Sequence, residues 1–157
     1  MVITSYLDII SLERARIYLR VDDGMNEDDK EIESMIKAAF LFMERYTNHI
    51  FINREFKQFV PPKIYNYPIT SITDTVNDED LTNYYQRNLD KLGCGEWPRR
   101  EVTYFAGYVN TEDVPDDFIQ AALQMIKVWY FESEKKVNST LIPISVTQVL
   151  DTYRRFV

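Results

Sequence analysis

The stretch VPDDFIQAALQMIKVWYFESEKK, Val114 to Lys136, limits what this chain can fold into more than any other. Valine-proline gives an extended lead-in, and Asp116 and Asp117 put carboxylates where a helix N-terminus favours negative charge. The apolar residues that follow do not keep to one stripe. Ile119, Ala122, Leu123, Ile126 and Tyr130 share one face, while Phe118, Ala121, Met125, Val128 and Trp129 lie on the other side. A helix that is apolar nearly all round has to be buried nearly all round. Its second face needs a cover, from the same chain or from a neighbour.

The rest of the chain offers limited material for that cover. At 157 residues, 45% hydrophobic and 27% charged, it makes one domain (1–157) able to bury roughly 70% of its unfolded surface. Val2 to Ile10 reads as a short strand or extended arm. SLERARIYLRV is a first helix with Ser11 as N-cap and Leu12, Ala15, Tyr18 and Leu19 inward. After the loop DDGMNEDD, with Gly24 as its turn residue, comes DKEIESMIKAAFLFMERYTN. There Asp28 and Glu31 form a candidate capping box, Ile32, Met35, Ile36, Ala39 and Met43 recur at helical spacing, and Asn48 is the stop.

The middle third changes character. Ile50 to Val60, YPITSITDTV and Glu101 to Val109 are rich in β-branched and aromatic residues and read as three strands. Residues 77–100 form a long polar insertion containing Tyr84, Tyr85 and Trp97, of a length that compact domains seldom carry without a function. Residues 137–157 form a C-terminal arm whose short helix starts near Pro143. The expected fold is mainly α within the α+β class: a bundle of about four helices with a small antiparallel β excursion in the middle third.

Catalytic and metal chemistry find little support. DDGMNEDD fails as a calcium loop, because counting from Asp22 the glycine falls third instead of sixth. One histidine, His49, and one cysteine, Cys94, make neither a zinc site nor a disulfide. No P-loop, dinucleotide fingerprint or G-x-S-x-G is present. No catalytic residue, cofactor or metal is expected. A net charge of −7 disfavours gripping phosphate, and suits DNA passing close by without specific binding. No basic n-region opens the chain and no apolar run approaches the roughly 20 residues that span a bilayer, so a soluble protein without a membrane partner is expected.

Two readings of the wide helix face stand side by side. Either the extra aromatics cap a core closed by the small sheet, or they form a seam to a second copy. On the second reading Phe118, Met125, Trp129 and Phe131 lie at the subunit interface.

Several segments together resemble a known family: SLERARIYLRVDD, DKEIESMIKAAFLFMERYTN, YPITSIT, EVTYFAGY, VPDDFIQAALQMIKVWYFESE and LIPISVTQVLDTYRR. Their order, from about Ser11 to Arg155, is similar to that of the head–tail connector (adaptor) proteins of tailed bacteriophages. The resemblance implies a virion structural protein, made in the host cytoplasm, without catalysis, that forms a ring of about twelve copies under the portal. DNA would pass through that ring. Tyr153, Arg154, Arg155 and Phe156 would then dock on the portal, and Tyr84, Tyr85 and Trp97 would meet the next tail-completion protein or a neighbouring subunit. Removing Tyr153 to Val157 is expected to spare folding and abolish attachment. The alternatives are a nucleic-acid-associated accessory protein, with PRR and YRR as its only basic candidates, and a small enzyme built around Asp22, Asp23 and His49.

Overall fold

A computed structural model describes residues 2–21, 27–60, 64, 66–75, 81–82, 100–133 and 142–154. Among them five α-helices surround one buried cluster, and three strands carry a second: α1 (Tyr6–Ile9), α2 (Leu12–Leu19), α3 (Asp29–Thr47), β1 (Arg54–Val60), β2 (Ile69–Asp74), β3 (Arg100–Ala106), α4 (Asp116–Ser133) and α5 (Ile144–Tyr153). The α-dominant fold with a small antiparallel sheet is the one the sequence implied.

The start of the chain differs from expectation. Instead of a strand, Ser5 and Asp8 cap a single helical turn. The Leu7 N–H donates to Ser5 Oγ at 3.3 Å, and the Ser5 N–H donates to Asp8 Oδ2 at 2.8 Å. Only Val2 keeps strand character, bridging to Asn110. Ser11 caps α2 through the Arg14 N–H at 3.2 Å, and Asn48 stops α3 in the left-handed region at φ 61°. Asp28 precedes α3 without capping it; its Oδ2 accepts the Tyr130 hydroxyl at 2.8 Å. A carboxylate expected to serve its own helix thus ties α3 to α4.

Directly after α3 the chain reverses, and buried Glu44 holds the reversal. Its Oε1 accepts the Phe51 N–H at 3.0 Å and its Oε2 accepts Arg54 Nη2 at 3.0 Å. The sheet order is β1-β3-β2, with both outer strands antiparallel to β3. Phe56 and Ile72 both register with Tyr104, and β2 shifts register between Ile69 and Ser71. On β3 the alternation is clean: Val102, Tyr104 and Ala106 are buried beside Ile50, Ile72 and Leu81, while Phe105 on the opposite face is exposed. The strand ends at Gly107, whose φ of 134° and distance to the backbone leave no alternative. A Cβ there would lie 2.6 Å from Asn53 Cα.

The cover for α4 comes from its own chain. Phe118, Ile119, Ala121, Ala122, Leu123, Met125 and Ile126 are all buried in the main core, with α2, α3 and α5 packed against the helix. From the C-terminal arm, α5 adds Val146 and Leu150 to that core. Phe118 and Met125, expected at a subunit seam, are 0% exposed within one protomer and are core residues. Aromatics supply the remaining wall: the Phe118 ring lies 4.6 Å from Tyr153, 5.0 Å from Phe51 and 5.2 Å from His49.

Candidate assembly surfaces

The C-terminal end of α5 lies where α3 ends and α4 begins, and three polar contacts fix it there. The Tyr153 hydroxyl donates to Asp117 Oδ2 at 2.7 Å. The Tyr46 hydroxyl donates to Asp151 Oδ1 at 2.6 Å, and the Arg154 guanidinium lies 5.0 Å above the same Tyr46 ring. Both phenols have pKa values above the ordinary tyrosine value. For Tyr153 the cause is first its bond to Asp117, then burial and the charge of Asp117. For Tyr46 it is first the bond to Asp151, then burial and the charge of Asp151, with Arg154 opposing. Both therefore stay protonated and able to donate at neutral pH.

Under Tyr153 lies an aromatic pocket. His49, itself buried, is ringed by Tyr67, Tyr108, Phe118 and Tyr153 at centroid distances of 5.7, 6.5, 5.2 and 5.9 Å. Burial pushes the Tyr108 phenol up to about 12, with Tyr153 and Tyr67 adding to the shift. This histidine is buried and packs among these rings as one more aromatic side chain. Asp22 and Asp23, its proposed companions, lie outside the described residues. Among the described residues no group of His, Cys, Asp and Glu is placed to hold a metal ion, and no helix is long and apolar enough to cross a membrane.

The pocket also corrects the expectation for Tyr153. Its ring and hydroxyl are engaged inside the protomer, so removing it takes away part of the seat of α5. Arg154 is exposed, while Arg155 and Phe156 lie outside the described residues, as do Tyr84, Tyr85 and Trp97. The positions that sequence reasoning missed are Tyr46, Asp117 and Asp151. Their partners lie 105 and 36 positions away along the chain, beyond the reach of any local pattern.

At the opposite end of α4 the enclosure loosens. Val128, Trp129 and Tyr130 are half-buried and Phe131 is 40% exposed, its ring 5.5 Å from that of Tyr130. The Trp129 Nε1 is closed off from solvent and has no hydrogen-bond partner among the described residues. Nearby, Lys127 Nζ sits 5.8 Å above the Tyr18 ring and joins α4 to α2. Leu12, Glu13, Arg16 and Ile17 of α2, with Val21 just beyond it, line an open cleft of about 380 Å³, and Ile17 is 71% exposed. Arg16 Nη1 reaches Asp29 Oδ1 at 3.1 Å, fixing that cleft to the start of α3.

The helices thus close on a core of their own chain, and Ile17 and Phe131 are the apolar side chains left exposed at these two places. The chain belongs to the phage gp6-like head-tail connector protein family, whose sequence profile it matches over residues 9–157. It is therefore a structural virion protein that joins head to tail. Among solved structures, it is similar to a chain in the neck of an empty GTA particle computed with C6 symmetry: 14% identity, TM-score 0.60, covering 99% of this chain and 95% of that one. A chain from the virion of a native gene transfer agent (GTA) particle gives 16% identity, TM-score 0.59 and coverage of 99% and 95%. A third, from the neck of a native GTA particle computed with C12 symmetry, gives 14%, 0.53, 99% and 94%. These likenesses extend the fold across the described helices and sheet. No curated protein matches the chain.

Proposed function

We propose that this chain works as one subunit of a closed ring at the head–tail junction, seated under the portal, through which DNA passes without specific binding. The observation that carries the reading is the match to the connector family over nearly the whole chain, joined to a fold shared with proteins of particle necks. C6 and C12 symmetry in those necks supports a ring of about twelve copies. The net charge of −7 fits a conduit that must not hold its DNA. The role is one of assembly, without catalysis, and the protein moves from the host cytoplasm into the virion.

With Phe118 and Met125 internal, the subunit seam contracts to the rim of α4, Trp129 and Phe131. A ring is built from heterologous contacts, in which one patch meets a different patch on the next copy. Phe131→Arg puts a charge on that rim at a position exposed in the protomer. Thermal stability should stay within about 1 kcal/mol of the parent, since surface changes seldom exceed that. Ring formation, followed by light scattering or sedimentation, should fail. Normal rings from this variant would remove Phe131 from the seam. Arg154, Arg155 and Phe156 dock on the portal, and Tyr84, Tyr85 and Trp97 serve the tail side.

A further inference from the structure

Exposed apolar side chains and charges of one sign coincide at two places far apart on the protomer. The first is α2. The segment Leu12 to Val21 carries Arg14, Arg16 and Arg20 against one acid, Glu13, in a chain whose net charge is −7. Arg16 is held by Asp29, whereas Arg14 and Arg20 are exposed to either side of Ile17, the most exposed apolar side chain of the cleft. The second is the outer face of the sheet. Strand alternation puts Glu55, Lys57 and Phe59 of β1 on the same side as Glu101 and Phe105 of β3. The register sets a carboxylate beside each ring: Glu55 pairs with Phe105, and Glu101 with Phe59. Phe59 is 51% and Phe105 40% exposed, and Lys57, 3.9 Å from Glu55, is the cation of that face.

These two surfaces are kept apart within one chain. The Arg16–Asp29 pair pins α2 to the N-terminal end of α3, and the bonds from Glu44 to Phe51 and Arg54 root the sheet near its C-terminal end. With 19 residues, α3 spans about 28 Å between them. We infer that the α2 surface of one copy seats on the outer sheet face of the next, with Ile17 against Phe59 and Phe105, and Arg14 and Arg20 facing Glu55 and Glu101. The inference rests on the reading of the chain as a ring subunit. Two different surfaces at opposite ends of a protomer make the heterologous kind of contact that rotation closes into a ring. Lys127 lies over Tyr18, and Phe131 follows it one turn later on α4, so α2 stands beside the rim already assigned to the seam. Charge decides the occupant. A basic helix edged by Leu12, Ile17 and Val21 asks for carboxylates and apolar rings together, which the sheet offers and a phosphate backbone does not.

The test mixes the full-length chain with purified cognate portal protein and follows ring formation by sedimentation and electron microscopy. Arg14→Glu reverses a charge at an exposed position in the first turn of α2, where a carboxylate suits the helix. Glu55→Arg reverses one on the exposed sheet face. Each alone should raise the protein concentration needed for rings about tenfold, and the two together should return it to within about threefold of the parent. Thermal midpoints should stay within a few degrees throughout, because both positions are exposed. If both single reversals form rings at the parent's concentration, this seam is wrong and the ring reading stands. If the double reversal recovers nothing, the two surfaces do not face each other and the inference is wrong. Portal binding or duplex-DNA binding lost by Arg14→Glu and kept by Glu55→Arg would assign α2 to the portal or to DNA, and either overturns it. Failure of the parent itself to form rings on the portal removes the ring reading, and this seam with it.

Discussion

A chain ending at Arg154 is expected to fold as the full chain does and to lose attachment to DNA-filled heads. The contacts that seat α5 come from residues up to Arg154. Val146 and Leu150 complete the core, Tyr153 fills the aromatic pocket, and Arg154 lies over Tyr46. All of these remain in the shortened chain, so its thermal midpoint should match that of the parent within a few degrees. What it lacks is one cation, one aromatic ring and one aliphatic residue at the terminus. Arginine and aromatic residues anchor interfaces out of proportion to their number. Co-sedimentation with filled heads measures the outcome directly. The cut must fall after Arg154. Removing Tyr153 as well would empty a place beside His49 and Phe118, and loss of attachment would then be confounded with loss of stability.

Phe118→Ala is expected to destabilise the protomer more than any substitution on its surface. The ring is 0% exposed and stands in contact with His49 and Phe51, just after α3, and with Tyr153 at the end of α5. Truncating a buried phenylalanine to alanine costs about 3–5 kcal/mol, since the neighbours close the cavity only in part. For a domain of this size that is a fall of roughly 10 °C in Tm. Thermal denaturation followed by circular dichroism checks it. The result also separates the two readings of α4. An interface residue would leave the isolated protomer's stability almost unchanged and weaken only its assembly; a core residue does the opposite.

That distinction shows where the sequence stopped being informative. The spacing of apolar residues in α4 showed how much of the helix must be covered, but spacing carries no information about which chain provides the cover. Val146 and Leu150 complete that cover from the C-terminal arm, and Phe118 and Met125 became core as a result. Signals with a local physical cause were legible. Ser11 and Asn48 bound their helices as their side chains and conformations dictate, and the three β-rich runs became strands. Pairing was not legible, because β1 skips β2 to join β3, and no local pattern says which strand joins which. Asp28 had the local signature of a cap and was taken by Tyr130, 102 positions away. α1 escaped notice because a single turn has no periodicity; only Ser5 and Asp8 marked it. At the candidate site, the basic aromatic character of the C-terminus was visible, but the grip of Tyr46 and Asp117 on it arises only once α3, α4 and α5 are side by side.

Electron microscopy of the full-length chain mixed with its cognate portal protein is the decisive observation. It should reveal an annulus stacked coaxially on the portal, with Trp129 and Phe131 of each subunit against the next and the Arg154 end of α5 turned toward the portal. Subunits bound singly, or an annulus whose α4 rims face open solvent while α5 points away from the portal, would contradict it.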